Sequence, residues 1–499
     1  MIGPGFHHAE GPLRLEARVV VVGSGAGGAA AADRLAAAGV DVLVLEMGRQ
    51  EAPATFTQRE EQMFPRLFQD AGGRTTLDGA ITVLQGKGVG GSTLHNLNLC
   101  KRVEPELLDR WASDRGLPEL PQRLSAAYEA VEQDLSVGPV PEAMINRNNQ
   151  LFRAGAQALG WANGPLKHNR VGCIGSGFCE LGCAYNAKMN AARVLLPRAV
   201  AAGARVVTGV RVERVRHRFG RAVGVRGVTA QGHPVTVDAR HVVLAASATG
   251  SPALLVASGL RDRWGQVGAH LHIHPGGTVG ALFEQPVRGW QGIPQSWECT
   301  QLLHPTDPAR RVWLLPVFGH PVATAALLPG FGEAHTRLLS RFEHLAAATA
   351  MLHDYSAGRV SADRRGRPLI RYQVDAADRA AMAQGLAAAA QILLAAGAEV
   401  AVIPYARPAE LRTQDEARQA ADRAVRRLDP PLAAVHPMGS LRMGADPRTS
   451  ACDGLGRLHG ARRIWVADGS LMPSSTGGPP QLTIYALGRL VGEALVQVA

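Results

Sequence analysis

Residues 18–22 form an uninterrupted β-branched run after Arg18, and the pattern then changes at a glycine cluster into an alanine-rich stretch over residues 29–38. The run predicts a buried strand and the stretch predicts a helix. A second apolar run over residues 40–45 ends in Glu46. Helical periodicity dominates residues 105–160, whereas residues 204–244 alternate short valine-rich strands with glycine-containing turns and close on Val242-Val243-Leu244-Ala245-Ala246. That segment reads as an excursion returning to the first sheet. Residues 276–328 mix Trp290, Trp297, Trp313, Phe283 and Phe318 with prolines, a pattern of antiparallel strands, and residues 376–396 predict one long helix before Gly397. Asp429-Pro430-Pro431 marks a break. A strand over residues 464–467 and a helix from Thr483 onward complete the outline.

Composition changes this picture little. The 499 residues suffice for two to four ordinary domains, and 46% hydrophobic with 19% charged residues is a globular balance. No apolar stretch reaches the ~20 residues of a membrane span, and no basic-then-apolar leader is visible, so the expected location is the cytoplasm. The formal charge of +11 comes from 53 basic residues of which only Lys87, Lys101, Lys167 and Lys188 are lysines. Arginines so dispersed argue against nucleic-acid binding, and the densest group, Arg211 to Arg221, reads as a solvated face.

The strongest chemical signal is Gly23-Ser24-Gly25-Ala26-Gly27-Gly28, placed between the first strand and its helix. In a dinucleotide fold Gly23 permits the tight turn, Gly25 lets backbone N–H groups approach a pyrophosphate, and Gly28 lets helix and strand pack closely. Glu46, about 20 positions on, stands where a carboxylate accepts from ribose hydroxyls, which favours an adenosine cofactor without a 2′-phosphate. A second glycine-rich segment, Gly86 to Asn96, lets backbone approach a ligand.

Four segments in order resemble the glucose-methanol-choline family of FAD oxidoreductases: the N-terminal fingerprint; Gly86 to Asn96; Ala245-Ala246-Ser247-Ala248-Thr249-Gly250-Ser251-Pro252; and His436-Pro437-Met438-Gly439-Ser440 with Ala467-Asp468-Gly469-Ser470. The resemblance implies an α/β fold. A Rossmann-type FAD-binding domain would be assembled from non-contiguous segments, residues 15–100, 165–265 and 435–499. An α+β substrate domain with an antiparallel sheet would take residues 101–164 and 266–434. It also implies extended FAD, with pyrophosphate at Gly23, Gly25 and Gly28, ribose at Glu46, and flavin near Gly90, Gly91, Asn96, Asp468 and Gly469. Leu271-His272-Ile273-His274-Pro275 and residues 283–292 look similar to the long-chain alcohol oxidase branch.

Oxidising a hydroxyl needs a base for its proton while hydride leaves carbon, and histidine titrates in the right range. The resemblance assigns that base to His436. The substrate expected is a small hydroxylated molecule, an apolar alcohol or one that is sterol-like or sugar-like, with oxygen or a cytochrome or quinone as electron acceptor. The family's second catalytic Asn or His falls on Pro479, which offers neither a side-chain hydrogen bond nor an N–H. Gln481 is the first candidate to replace it, ahead of Ser475 and His272. The same departure motivates the alternative of a flavin-retaining lyase. A scaffold holding FAD only structurally is a third reading. His95 lies where some family members attach flavin covalently, or it packs against the ring unbonded. Cys173, Cys179 and Cys183 are spaced C-x5-C-x3-C. The grouping resembles the three cysteines that hold a 3Fe-4S cluster in bacterial FAD sugar dehydrogenases of this family. A disulfide or reduced thiols, or a zinc with His168 as fourth ligand, are the alternatives.

Overall fold

The computed structural model describes residues 2–499. Leu13–Val22, the strand of the first apolar run, is central to an eight-stranded sheet. It pairs in parallel with Val42–Glu46 on one side and Pro234–Leu244 on the other, in registers Val22↔Leu45 and Leu244↔Val22. Parallel strands covered on both faces read as continuous apolar runs, as these do. Gly5–His8 and Arg205–Thr208 extend the sheet at one edge, Arg221–Thr229 and Val210–Arg218 at the other, and Ile464–Val466 pairs with Pro234–Leu244. Residues separated by more than 200 positions therefore share one sheet. The helix Ala26–Ala37 follows the first strand and packs on the C-terminal helix Gln481–Val496. The two approach backbone to backbone, since a Cβ on Gly488 would lie 2.6 Å from the Gly27 Cα.

A nine-stranded sheet forms the second layer system. Its centre is antiparallel: Gly276–Leu282 pairs with Leu345–Leu352 and with Val400–Ile403, and Val312–Pro316 pairs with Leu345–Leu352. Side chains alternate across a strand, so Gly276, Thr278, Gly280, Ala347, Thr349 and Met351 share one face. The opposite face is buried beneath the helix Ala376–Ala395, whose Gly385 sits so close to the sheet that a Cβ would meet the Val312 side chain at 2.6 Å. The α/β architecture with a second, antiparallel sheet is as the sequence predicts. One segment differs: Pro321–Leu327 is helical, not a strand. Pro321 opens it, the alanines favour it, and the Glu60 carboxylate accepts from the Val322 and Ala323 N–H groups at 2.7 and 2.9 Å. Among the described residues no helix is long and apolar enough to cross a membrane.

Candidate active site

One cavity of about 1450 Å³ is lined from both sheets. Single-ligand pockets run about 300–1,000 Å³, so this space has room for a dinucleotide and a second molecule.

At its first end the glycine loop differs from one residue to the next. Gly23 has φ +105°, and a Cβ there would lie 2.2 Å from the Ala245 carbonyl oxygen; on Gly28 it would lie 2.1 Å from that of Gly23. These two glycines let the chain pack on itself. At Gly25 a Cβ would find nothing within 4 Å, and Gly25 is on the cavity wall. The helix that Gly25 caps has no side-chain cap and no acidic residue in its first turn, so its N–H groups and dipole face an anion site unopposed. Glu46 is on the same wall. Its Oε1 accepts from Gly48 and Gly88 N–H groups (2.8 and 3.2 Å) and its Oε2 from the Ser24 N–H and hydroxyl (3.1 and 2.6 Å). The carboxylate thus ties three loops together. The Gly90 N–H donates to the Ser24 hydroxyl at 3.1 Å, and a Cβ on Gly91 would touch the Gly25 Cα at 2.9 Å.

Further along, His95 packs on Phe68 with ring centroids 4.0 Å apart and planes tilted by 40°, and burial, with the Lys188 ammonium adding to it, pushes its imidazolium down to about 3. His95 Nε2 and Asn96 Oδ1 are buried without any hydrogen-bond partner. Such orphans on the wall of a large cavity call for a polar ligand. Together with the open space at Gly25 and the uncapped helix, they fit a bound dinucleotide whose ring end reaches Asn96. Asp468 and Gly469 close this part; the Asp468 carboxylate, pushed up by burial, accepts from the Ser251 hydroxyl at 2.5 Å and the Ser470 N–H at 2.9 Å.

The second end is an apolar wall made by the free face of the antiparallel sheet, which Trp313 and Leu315 share, and Val317, Leu327 and Leu328 also line this cavity. His436 is on the cavity wall just after the strand Leu432–Ala434, which pairs with Gly276 of this sheet, and just before Pro437, whose carbonyl oxygen a Cβ on Gly469 would meet at 3.1 Å. Burial pushes its imidazolium down to about 4 against the pull of Asp354, so the ring is neutral around pH 7.

The cavity gathers Gly23, Gly25, Glu46, Gly91, His95, Asn96, His436, Asp468, Gly469 and Gln481, with Gly28 and Gly90 just behind its wall. Gln481 is engaged by its own chain: its Nε2 donates to the Leu99 carbonyl and its Oε1 accepts from Asn96 Nδ2, both at 2.7 Å. Ser475 and His272 lie off the cavity wall. Cys173, Cys179 and Cys183 border a separate cavity of about 20 Å³, the space of a water molecule or so. Among the described residues no set of three or more His, Cys, Asp or Glu is arranged to hold a metal ion, and all six cysteines are unbridged. The expected iron–sulfur cluster finds no support in this geometry, nor does the zinc alternative, since no such set gathers the three cysteines with His168, whose Nδ1 meets the Arg170 guanidinium.

Two groups on or behind the wall escape the sequence reading. Glu180, inside the cysteine segment, borders the main cavity, and burial, opposed by Lys188, pushes its carboxyl up to about 7. His274, Asp354, Tyr372 and Ser475 form a buried cluster behind His436. The paired histidines of His272-Ile273-His274 hinted at it, as did Ser475, a candidate for the missing catalytic group, but not as members of one cluster.

Comparison with known proteins agrees with this arrangement. GMC oxidoreductase family models match residues 64–276 and 354–488, and a model of NAD(P)-binding Rossmann-like domains matches residues 21–75. An uncharacterized GMC-type oxidoreductase of Mycobacterium tuberculosis is 37% identical over 98% of this chain and 77% of its own. The long-chain-alcohol oxidase FAO3 of Arabidopsis thaliana is 27% identical over 95% of this chain and 67% of its own. The fold is shared with pyridoxine 4-oxidase from Mesorbium loti, at TM-score 0.71 and 18% identity over 97% of this chain and 100% of that one. Formate oxidase of Aspergillus oryzae, an FAD protein, superposes with TM-score 0.72 at 16% identity, covering 97% and 98%. With its glycine loops, split parallel sheet and two matching family models in their proper order, the chain belongs to the GMC oxidoreductase family of FAD enzymes.

Proposed function

We propose that the protein oxidises the hydroxyl group of an alcohol with a long apolar tail, and that His436 is the base that takes the hydroxyl proton. The observation that carries this reading is the continuity of the cavity, which joins the dinucleotide loops to an apolar sheet face with His436 at the junction. A wall of Ala347, Met351, Leu315 and Trp313 offers a sugar few partners and an alkyl chain extensive contact. The likeness to a long-chain-alcohol oxidase points the same way.

Gly23, Gly25 and the helix N-terminus would hold the FAD diphosphate, Glu46 the ribose, and Gly91, His95, Asn96, Asp468 and Gly469 the ring end. Bound FAD supplies a two-electron oxidant for the carbinol carbon. The neutral imidazole of His436 accepts the hydroxyl proton, and the sheet face excludes water and aligns the tail. Gln481 acts on this site indirectly, by holding the Asn96 amide. Pro479 itself offers no hydrogen bond to the charge developing on the substrate oxygen, which leaves His436 as the group that meets it.

Anaerobic mixing of the purified flavoprotein with primary alcohols of increasing length tests the reading. The expected result is bleaching of the flavin bands at a rate that rises with chain length; no bleaching by any alcohol overturns it. Re-admitting oxygen, or a cytochrome or quinone, then identifies the electron acceptor through peroxide formation or acceptor reduction. Pro479 favours one second reading, a lyase, which would release product while the flavin stays oxidised. Acid precipitation separates the two roles of His95, because only a covalent link leaves the pellet yellow.

A further inference from the structure

The base proposed above is one end of a buried chain of hydrogen bonds. Asp354, fully buried beyond the strand Leu345–Leu352, accepts at one oxygen from the Tyr372 hydroxyl (2.6 Å) and the Ile273 N–H (2.9 Å). At its other oxygen it accepts from the Ser475 hydroxyl (2.8 Å) and the His274 N–H (3.3 Å). The Ser475 oxygen lies 2.7 Å from His274 Nε2, and His274 Nδ1 lies 3.3 Å from His436 Nδ1, with the two rings edge to face. His274 is 1% exposed, has φ +50°, and burial holds its imidazolium well below the ordinary range. A left-handed backbone at a non-glycine residue persists only where its surroundings over-determine it. Here the two Asp354 bonds to residues 273 and 274 do so, helped by the paired backbone bonds between His272 and Met438 (2.9 and 2.8 Å).

The direction of every bond in this chain follows from its terminus. An ionised carboxylate only accepts, so the Ser475 hydroxyl donates to Asp354 and accepts from His274 Nε2–H. A neutral His274 then has its lone pair on Nδ1, and that lone pair accepts His436 Nδ1–H. The lone pair of neutral His436 is left on Nε2. We propose that Asp354, acting through Ser475 and His274, fixes His436 in the Nδ1–H tautomer, leaving Nε2 as the basic atom of the reaction cavity. Asp354, Ser475 and His274 are thus positioning residues for the base, and this inference rests on the role given to His436 above. The device stands where the second catalytic side chain is missing at Pro479, and it orients the base from behind in place of a partner across the cavity.

Holoenzyme labelled with 15N-histidine tests the proposal, with the His436 signals assigned by their loss in His436→Asn. Long-range proton–nitrogen correlation is expected to show His436 protonated at Nδ1 and bare at Nε2. Ser475→Ala interrupts the chain while leaving Asp354 and its backbone bonds in place. It is expected to shift His436 toward the other tautomer and to slow flavin bleaching by at least about tenfold with KM, flavin content and melting temperature near wild type. Asp354→Asn, where it folds, allows the whole chain to reverse, and a loss approaching ~10⁴-fold is the scale a wrongly held tautomer produces in hydrolytic triads. A wild-type His436 protonated at Nε2, or a Ser475→Ala protein with unchanged tautomer and rate, overturns the proposal. If no alcohol bleaches the wild type yet Ser475→Ala still moves the tautomer, the relay stands and the alcohol reading fails. If bleaching is normal in both proteins, the relay fails and the alcohol reading stands.

Discussion

The two ends of the cavity are made of different material. The end proposed for the cofactor is backbone: Gly23, Gly28 and Gly91 bring main chain within van der Waals reach of main chain, Gly25 faces open space, and a carboxylate and a hydroxyl, Glu46 and Ser24, lace the loops together. The substrate end is side chain: one face of an antiparallel sheet, set by strand alternation, with small residues where space is needed and large ones at its margins. Backbone loops of that kind tolerate almost no substitution and accept one class of ligand. A sheet face changes its shape with each residue and so can be retuned without disturbing the fold.

The most severe break is expected at the junction. His436→Ala should retain flavin and slow its reduction by alcohol by about 10²–10⁴-fold, the usual range for a lost general base, as read by anaerobic stopped-flow. Within the cofactor end, two alanines should separate packing from ligand space. Gly28→Ala should cost about 1–3 kcal/mol of stability even without FAD, read as a fall in the urea midpoint, because its Cβ meets the Gly23 oxygen. Gly25→Ala, facing open space, should leave the apo-protein's midpoint in place and lower flavin retention on a desalting column.

Acid should affect both ends. Burial pushes His95 down to about 3, and His353 and His436 to about 4, whereas all three titrate near 6.5 when unfolded. The unfolded chain therefore binds more protons between pH 6.5 and 4, and stability falls as pH drops through that window, by up to roughly 1.4 kcal/mol per unit for each histidine. Urea midpoints at pH 7.5, 6.5 and 5.5 should decline in that order, and a flat series would contradict the burial of these rings. The mildest change belongs to the substrate end. Ala347→Phe should lower kcat/KM for long-chain alcohols by about tenfold, spare short ones, and leave flavin content intact.

How far each end could be read from the sequence follows from the same difference. Glycines at fixed spacing between a strand and a helix admit few structures, so Gly23, Gly25 and Gly28 were legible before any fold was known. The sheet face was legible as strands, but alternation alone does not say which face a helix will cover, and the helix Ala376–Ala395 decides that. The Glu46 carboxylate was expected at a ribose; that it also grips Gly48 and Gly88 depends on a second loop arriving about forty residues later. Gln481 reads as an available amide until Leu99 and Asn96 are placed beside it. The chain from Tyr372 through Asp354, Ser475 and His274 to His436 draws on five separate segments, and no local pattern records such a meeting. The cysteine spacing was conspicuous, yet spacing is only part of a ligand set, and among the described residues no metal-holding set forms around the three thiols.

The knot at Ser24 has one further consequence. Glu46 and Ser24 already hold Gly88 and Gly90 against the pyrophosphate loop through bonds internal to the protein. None of these bonds needs the coenzyme, so the clasp is expected to form ahead of it, and capture then need not freeze a floppy strand of polypeptide, which would otherwise subtract from affinity. A preparation stripped of its yellow colour should regain it within mixing time at micromolar FAD, as a rigid receptor does.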